Sequence, residues 1–100
     1  MTTRKHNPIH PGEVLRHDFM EPLGITAYRL AKETGISAQQ IGRILARTRG
    51  VGAETALVLA RFFGTSASVW MGLQAQYDFD IAEDRIGREI ARNVRPWKAA

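Results

Sequence analysis

Residues Thr26–Leu45, T-A-Y-R-L-A-K-E-T-G-I-S-A-Q-Q-I-G-R-I-L, restrict the fold more than any other stretch of this chain. Thr26 is a good N-cap, and Ala27, Leu30 and Ala31 recur at i, i+3, i+4, the spacing of one helix face. Gly35 follows, at a position where a left-handed residue ends a helix without a Cβ penalty. Ser37 then caps a second helix, and Gln40 three residues on completes a capping box. Ile41, Ile44 and Leu45 form the inward stripe of that helix. Ile36, Ile41 and Ile44 lock it against the first, and Ala31 is small where the two would cross closely. Two capped helices around a glycine turn, held by buried aliphatics, predict a DNA-reading helix-turn-helix.

The outward positions of the second helix are Ala38, Gln39, Gly42, Arg43 and, near the edge, Gln40. Gln can pair bidentately with adenine N6/N7 and Arg with guanine O6/N7, so these five are the candidate base readers. The bland alternative leaves Gln40 closing the capping box and Gln39 and Arg43 on a solvated face. Charge distribution argues for the sharper reading. No acidic residue lies between Glu33 and Glu54, whereas Arg43, Arg47 and Arg49 all do. Arg43 and Arg47 are four apart, hence on one face of the helix or its exit. The loop Arg47-Thr48-Arg49-Gly50 can present guanidinium, hydroxyl and backbone N–H groups to phosphates beside a groove. Thr26, Tyr28 and Ser37, at the two helix starts, are the other candidate phosphate contacts.

A chain of 100 residues makes one small domain with a single core of packed helices. Its net charge of +4 favours a polyanionic partner. No apolar run approaches the ~20 residues of a membrane span, and no secretory signal precedes the first helix, so the expected location is the cytoplasm, on the nucleoid. The absence of cysteine excludes disulfides and thiolate metal sites and fits a reducing compartment.

The remainder reads as helical. Met1–His10 is a polar, basic arm. Pro11 opens a helix to about Met20, with Val14, Leu15 and Phe19 inward, that Pro22 and Gly24 end. Gly52 caps a fourth helix, Ala53–Phe63, apolar around most of its circumference and therefore expected at the buried centre. Thr65 or Ser66 starts a fifth, with Val69, Trp70, Leu73 and Tyr77 on one face. The result is an all-α fold, a compact five-helix domain over residues 11–77. Residues 78–100 add a helical extension and tail, in which Ala82, Ile86, Ile90 and Val94 recur at i+4 steps. That narrow stripe suits a second chain, with docking onto its own domain as the alternative. Trp70, Ile86, Ile90 and Val94 are the candidate dimer contacts.

Together these residues resemble the HigA-type antitoxins of the XRE-like helix-turn-helix superfamily, which includes the λ-repressor-like domains. The resemblance begins at Pro8-Ile9-His10-Pro11-Gly12-Glu13-Val14-Leu15. It continues through Glu21-Pro22-Leu23-Gly24-Ile25-Thr26 and Tyr28-Arg29-Leu30-Ala31, and resumes at Arg47-Thr48-Arg49-Gly50 and Thr55-Ala56-Leu57. Leu59-Ala60-Arg61-Phe62-Phe63-Gly64-Thr65-Ser66 and Trp70-Met71-Gly72-Leu73-Gln74-Ala75-Gln76-Tyr77-Asp78 complete it. Gly52 departs from the usual Thr, Ala67 and Ser68 from a Pro-Glu pair, and Gly42 from a bulkier residue in the reading helix. The resemblance implies a homodimer that binds a palindromic operator, represses its own operon and neutralises a HigB-type toxin, a RelE-like ribonuclease that cuts mRNA on the ribosome. A free-standing dimeric repressor is the rival, separated from it by whether a toxin gene lies directly upstream.

Enzyme chemistry finds little footing. His6, His10 and His17 do not stack two on one helical face, and no carboxylate completes a metal shell. Asp18, Glu21, Asp78 and Asp80 form no acid–base pair, Ser66 and Ser68 sit beside helix-start signals, and no Gly-rich phosphate loop is present. The expectation is a non-enzyme without cofactor or metal. A pure interaction module would leave Gln39, Arg43 and the loop arginines unexplained.

Overall fold

The computed structural model describes residues 7–98, in five helices with no strand among them. Helix α1 covers residues 11–23 as Pro11–Val14, a wider π-type stretch Leu15–Met20, and Glu21–Leu23. It is followed by α2, Ala27–Thr34, α3, Ala38–Leu45, α4, Ala53–Phe63, and α5, Ala67–Asn93. The expected basic arm falls largely on residues 1–6, outside those described, and His6 with it. No helix among the described residues is long and apolar enough to cross a membrane.

Helix α1 begins on a dense set of contacts. The ring Nδ1 of His10 accepts from the Gly12 N–H at 2.9 Å, and the Glu13 carboxylate accepts from the His10 N–H at 3.4 Å, a reciprocal cap with Pro11 at the first position. His10 is itself buried, edge-on to Tyr77 of α5 with ring centroids 4.8 Å apart. Next to it Gly12 lies so close to α3 that a Cβ there would run into the Ile44 carbonyl oxygen. Glycine is required at this position by contact, not by dihedral angle.

The sequence expectation for the end of α1 needs correction. Pro22 does not stop the helix, which runs to Leu23. In the π stretch the Glu21 N–H reaches the Arg16 carbonyl, five residues back. The wider turn makes room for a ring that would clash in a regular α-helix and needs no N–H from Pro22. Gly24, at φ 66°, closes the helix instead, with the Ile25 N–H on the Met20 carbonyl at 2.9 Å.

The core gathers Leu15 and Met20 of α1, Leu30 of α2, Ile41 and Ile44 of α3, and Ala56, Leu59 and Ala60 of α4 around Trp70. Phe19 stacks obliquely on Phe63 at 4.9 Å and on Trp70 at 5.2 Å, and the Trp70 indole donates to Thr65 Oγ1 at 2.9 Å. Helix α4 is not the buried centre. It buries Thr55, Ala56, Leu59 and Ala60, but Leu57 is 63% exposed and Phe62 sits at the surface. Its sequence is apolar all round because an outward apolar face accompanies the core face.

Helix α5 also departs from expectation. Ser66 caps it, accepting from the Val69 N–H, and it then continues without a break for 27 residues, about 40 Å. The boundary expected after Tyr77 is helical, because no Pro or Gly interrupts it and side-chain bonds Gln74–Asp78 and Gln76–Asp80, each 2.9 Å, straddle it. Trp70, Leu73 and Tyr77 face the core, whereas Val69 is exposed. The distal half carries the molecule to 57 Å in its long dimension, against 27 and 21 Å in the others.

Two outcomes test this account of the N-terminus. Gly12→Ala should destabilise by about 1–3 kcal/mol despite better helix propensity, because the added methyl must push α1 off α3; denaturant titration reads it. Burial lowers the His10 pKa below its ordinary 6.5, the nearby Arg47 adding to the shift and Glu13, Asp78 and the Arg49 backbone opposing it. The unfolded chain therefore takes up a proton before the folded one does. Stability present above pH 6.5 should fall as pH drops through the depressed folded value, and His10→Asn should remove that part of the slope in pH-dependent melting.

Candidate nucleic-acid interface

Helix α3 is held from behind and open in front. Ser37 Oγ accepts from the Gln40 N–H at 3.1 Å, Ile41 and Ile44 are buried, and Leu45 is half-buried. On the opposite side Ala38, Gln39, Gly42 and Arg43 are all exposed and share one face. Arg43 has no ion-pair partner among the described residues. A Cβ on Gly42 would meet nothing within 4 Å. Nothing inside the chain therefore requires glycine at that position.

Gln40 differs from its neighbours. Its side chain does not reach back to complete the capping box; Nε2 donates to the buried Thr55 Oγ1 of α4 at 2.9 Å. The amide thus ties α3 to α4 and gives Thr55 its buried partner. Half-buried and tied to Thr55 in this way, Gln40 keeps its carbonyl oxygen and one amide N–H but little freedom to move toward a base. The turn before α3 has a similar fixture in Thr34, whose hydroxyl donates to the Leu30 carbonyl at 2.6 Å and accepts from the Ile36 N–H at 3.2 Å. Neither bond is a pattern of spacing, and both escape a reading by period.

The exit from α3 is a Schellman turn. The Thr48 N–H bonds to the Arg43 carbonyl at 2.9 Å and the Arg47 N–H to the Ile44 carbonyl at 3.0 Å. Arg47 occupies the left-handed position, φ 65°, alone among the non-glycine residues described. This corrects two expectations. Arg47 does not continue the face of Arg43, since the helix has ended and its guanidinium turns back to Glu13 at 3.3 Å. The Arg47 and Thr48 N–H groups are also spent on α3 carbonyls and do not point to an external anion. The acid-free interval between Glu33 and Glu54 is acid-free in sequence only.

The pair with Glu13 is exposed and worth about 0–1 kcal/mol, while the left-handed backbone of a non-glycine residue costs about 1–2 kcal/mol. Local energetics would favour glycine here. Arg49 is exposed and has no ion-pair partner among the described residues. The following segment is held by Gln74 of α5, whose Oε1 accepts from the Val51 N–H at 2.7 Å.

Of the flanking candidates, Thr26 Oγ1 accepts from the Arg29 N–H at 3.1 Å and Ser37 caps α3, so each keeps its hydroxyl proton to donate outward. Tyr28 is exposed. His10 and His17 are occupied as a cap and as a partner of Glu21 at 3.0 Å. Among the dimer candidates Trp70 is wholly buried within its own protomer and presents no surface to a second chain. Ile86 is half-buried and Ile90 exposed on the projecting half of α5, and Val94 is exposed as its extended C-cap. The described residues of the domain leave Ile90 and Val94 uncovered. Extended back by helical steps it includes Phe79 and Ala75, which the same periodicity would have found had the helix been read as unbroken.

Comparison with known proteins agrees with this geometry. The helix-turn-helix family matches residues 17–70. Virulence-associated protein I of Dichelobacter nodosus is 44% identical over 75% of this chain and 69% of its own length. Antitoxin HigA-1 of Vibrio cholerae is 31% identical over 96% of this chain and 90% of its own. The structure of Pseudomonas aeruginosa antitoxin HigA with the higBA promoter superposes with a TM-score of 0.89 at 37% identity, over 92% of this chain and all of that one. A capped, glycine-turned helix pair inside this five-helix frame, shared along nearly the whole length with such relatives, places the chain in the HigA antitoxin family of helix-turn-helix proteins.

Proposed function

We propose that this chain binds a palindromic operator as a two-fold homodimer, represses the operon that encodes it, and neutralises a HigB-type, RelE-like mRNA-cleaving ribonuclease in the cytoplasm. The observation that carries the DNA half is the exposed row Gln39, Gly42 and Arg43 over the buried Ile41 and Ile44. The half-site is read by Ala38, Gln39, Gly42 and Arg43, with Gln40 in a supporting place. Thr26, Tyr28, Ser37, Arg47, Thr48 and Arg49 contact phosphates through side chains. The similar HigA of P. aeruginosa is known with the higBA promoter, which supports an operator as the ligand here. One domain covers one half-site, so the dimer brings two reading helices ~34 Å apart into successive major grooves. Phe79, Ile86 and Ile90 on α5, with Val94 at its C-cap, supply the contact.

Toxin neutralisation rests on family membership. Its test is direct: the product of an adjacent toxin gene, mixed with this protein, should lose ribosome-dependent mRNA cleavage. Undiminished cleavage at excess antitoxin, or no toxin gene beside it, would leave the chain a free-standing dimeric repressor.

Contacts should divide by role in binding isotherms. Arg43→Ala should cost about 1–3 kcal/mol on the operator and relax specificity at one base pair. Arg49→Ala should weaken binding to all sequences and lower the salt slope by about one unit. Arg47→Gly separates stability from function: it should fold at least as stably as the parent, having relieved a strain of about 1–2 kcal/mol, yet bind DNA more weakly. Gly42→Ala should gain roughly 1 kcal/mol of stability and lose operator affinity, because the backbone approaches DNA closely there. Equal losses on operator and random DNA for Gln39→Ala and Arg43→Ala would remove the base-reading assignment.

A further inference from the structure

The outward face of α4 has a pattern that neither the reading helix nor the distal half of α5 uses. Glu54 lies in its first turn and Arg61 in its last, seven residues apart on one edge, about 10 Å. Both are exposed, and neither has an ion-pair partner among the described residues. Leu57 and Val58 lie between them, Leu57 standing out of the surface. Beside it runs an open groove of ≈ 340 Å³ lined by Glu33 and Thr34 of α2 and by Leu57, Val58, Arg61 and Phe62 of α4. Glu33 is already matched by Arg29 at 2.8 Å, so the unmatched charge at the groove is the Arg61 cation.

The helix dipole accounts for an acid in a first turn and a base in a last one. It does not account for an exposed leucine next to a groove of the same character. We infer that a second copy of this chain docks here, α4 against α4, antiparallel about a two-fold axis. The midpoint between positions 54 and 61 falls between Leu57 and Val58, so an axis there sets each Glu54 opposite the partner's Arg61. It also sets each Leu57 opposite the partner's Val58, at the mouth of the partner's groove. Projecting leucine and receiving groove lie on the same face, as an isologous contact requires. No residue of α3 lines the groove, so the contact is compatible with a reading helix in use.

This contact is distinct from the α5 dimer proposed above. With both in place, two different two-fold axes join dimers into larger assemblies, closed as tetramers where the axes intersect at right angles. The α4 contact is small and rimmed by charge, so it is the weaker and more salt-sensitive of the two.

Sedimentation velocity over a range of concentrations at low salt tests it, with Phe79→Asp/Ile86→Asp as the background that disables the α5 stripe. In that background the chain should still pair. Glu54→Arg alone and Arg61→Glu alone should each weaken pairing by about tenfold or more, since each two-fold contact then holds two like-charge clashes. The double variant Glu54→Arg/Arg61→Glu should restore it. Helical circular dichroism is read in parallel to confirm that each variant folds. Pairing that ignores the single reversals, or single losses that the double variant fails to recover, would overturn the α4 contact. Operator binding by the same variants reports separately on the reading helix, so failure of one inference is distinguishable from failure of the other.

Discussion

The approach of Gly12 to the Ile44 carbonyl is the constraint from which the surface around α3 is organised. It brings the start of α1 onto the last turn of α3, and everything around it serves that closeness. His10 caps α1 and is pressed on Tyr77; Glu13 answers the cap and also reaches Arg47. The run His10-Pro11-Gly12-Glu13 is therefore more than a helix start. It is a bracket fixing the depth at which α3 stands out of the domain, and a methyl group is enough to disturb it.

At the other end of α3 the balance runs differently. Three of the four left-handed positions described are glycines, at Gly24, Gly35 and Gly64, and the fourth is Arg47. The chain has glycine available for such turns and does not use it here. An arginine kept where the backbone disfavours it, with only an exposed carboxylate as partner, is an outlier that contacts among the described residues do not explain. Gly42 presents the inverse case. It is a glycine where the chain has room for a side chain and a helix that would prefer one. Two residues that local energetics would exchange in opposite directions flank the same surface.

What could be read in the sequence was what obeys a period or a cap. Thr26, Ser37, Gly24, Gly35 and Gly64 mark helix ends by local chemistry, and the bounds of α4 follow from Gly52 and Gly64. The exposed row of α3 followed from the burial of Ile41 and Ile44. What escaped depends on residues far apart in the chain. Gln40 meets Thr55 fifteen positions on, Glu13 meets Arg47 thirty-four on, and Gln74 meets Val51 across twenty-three. Pro22 misled because its usual effect assumes a regular α-helix, and the π turn before it removes the clash. Apolarity misled twice: in α4 it marked an outward face as well as a core, and in Trp70 it marked core where an interface was expected.

Because α5 is a single helix, its proximal and distal faces are geared together. Trp70, Leu73 and Tyr77 are locked into the domain, so the azimuth of Phe79, Ile86 and Ile90 about the helix axis is set by residue count alone. One residue added or lost between Tyr77 and Phe79 would turn that whole stripe by about 100° relative to the reading helix. Substitutions along the projecting half can alter how apolar the stripe is, but only a change in length can alter where it points. In the dimer proposed on α5, the spacing of the two half-sites on DNA would follow from the arithmetic of a helix that does not itself reach the bases.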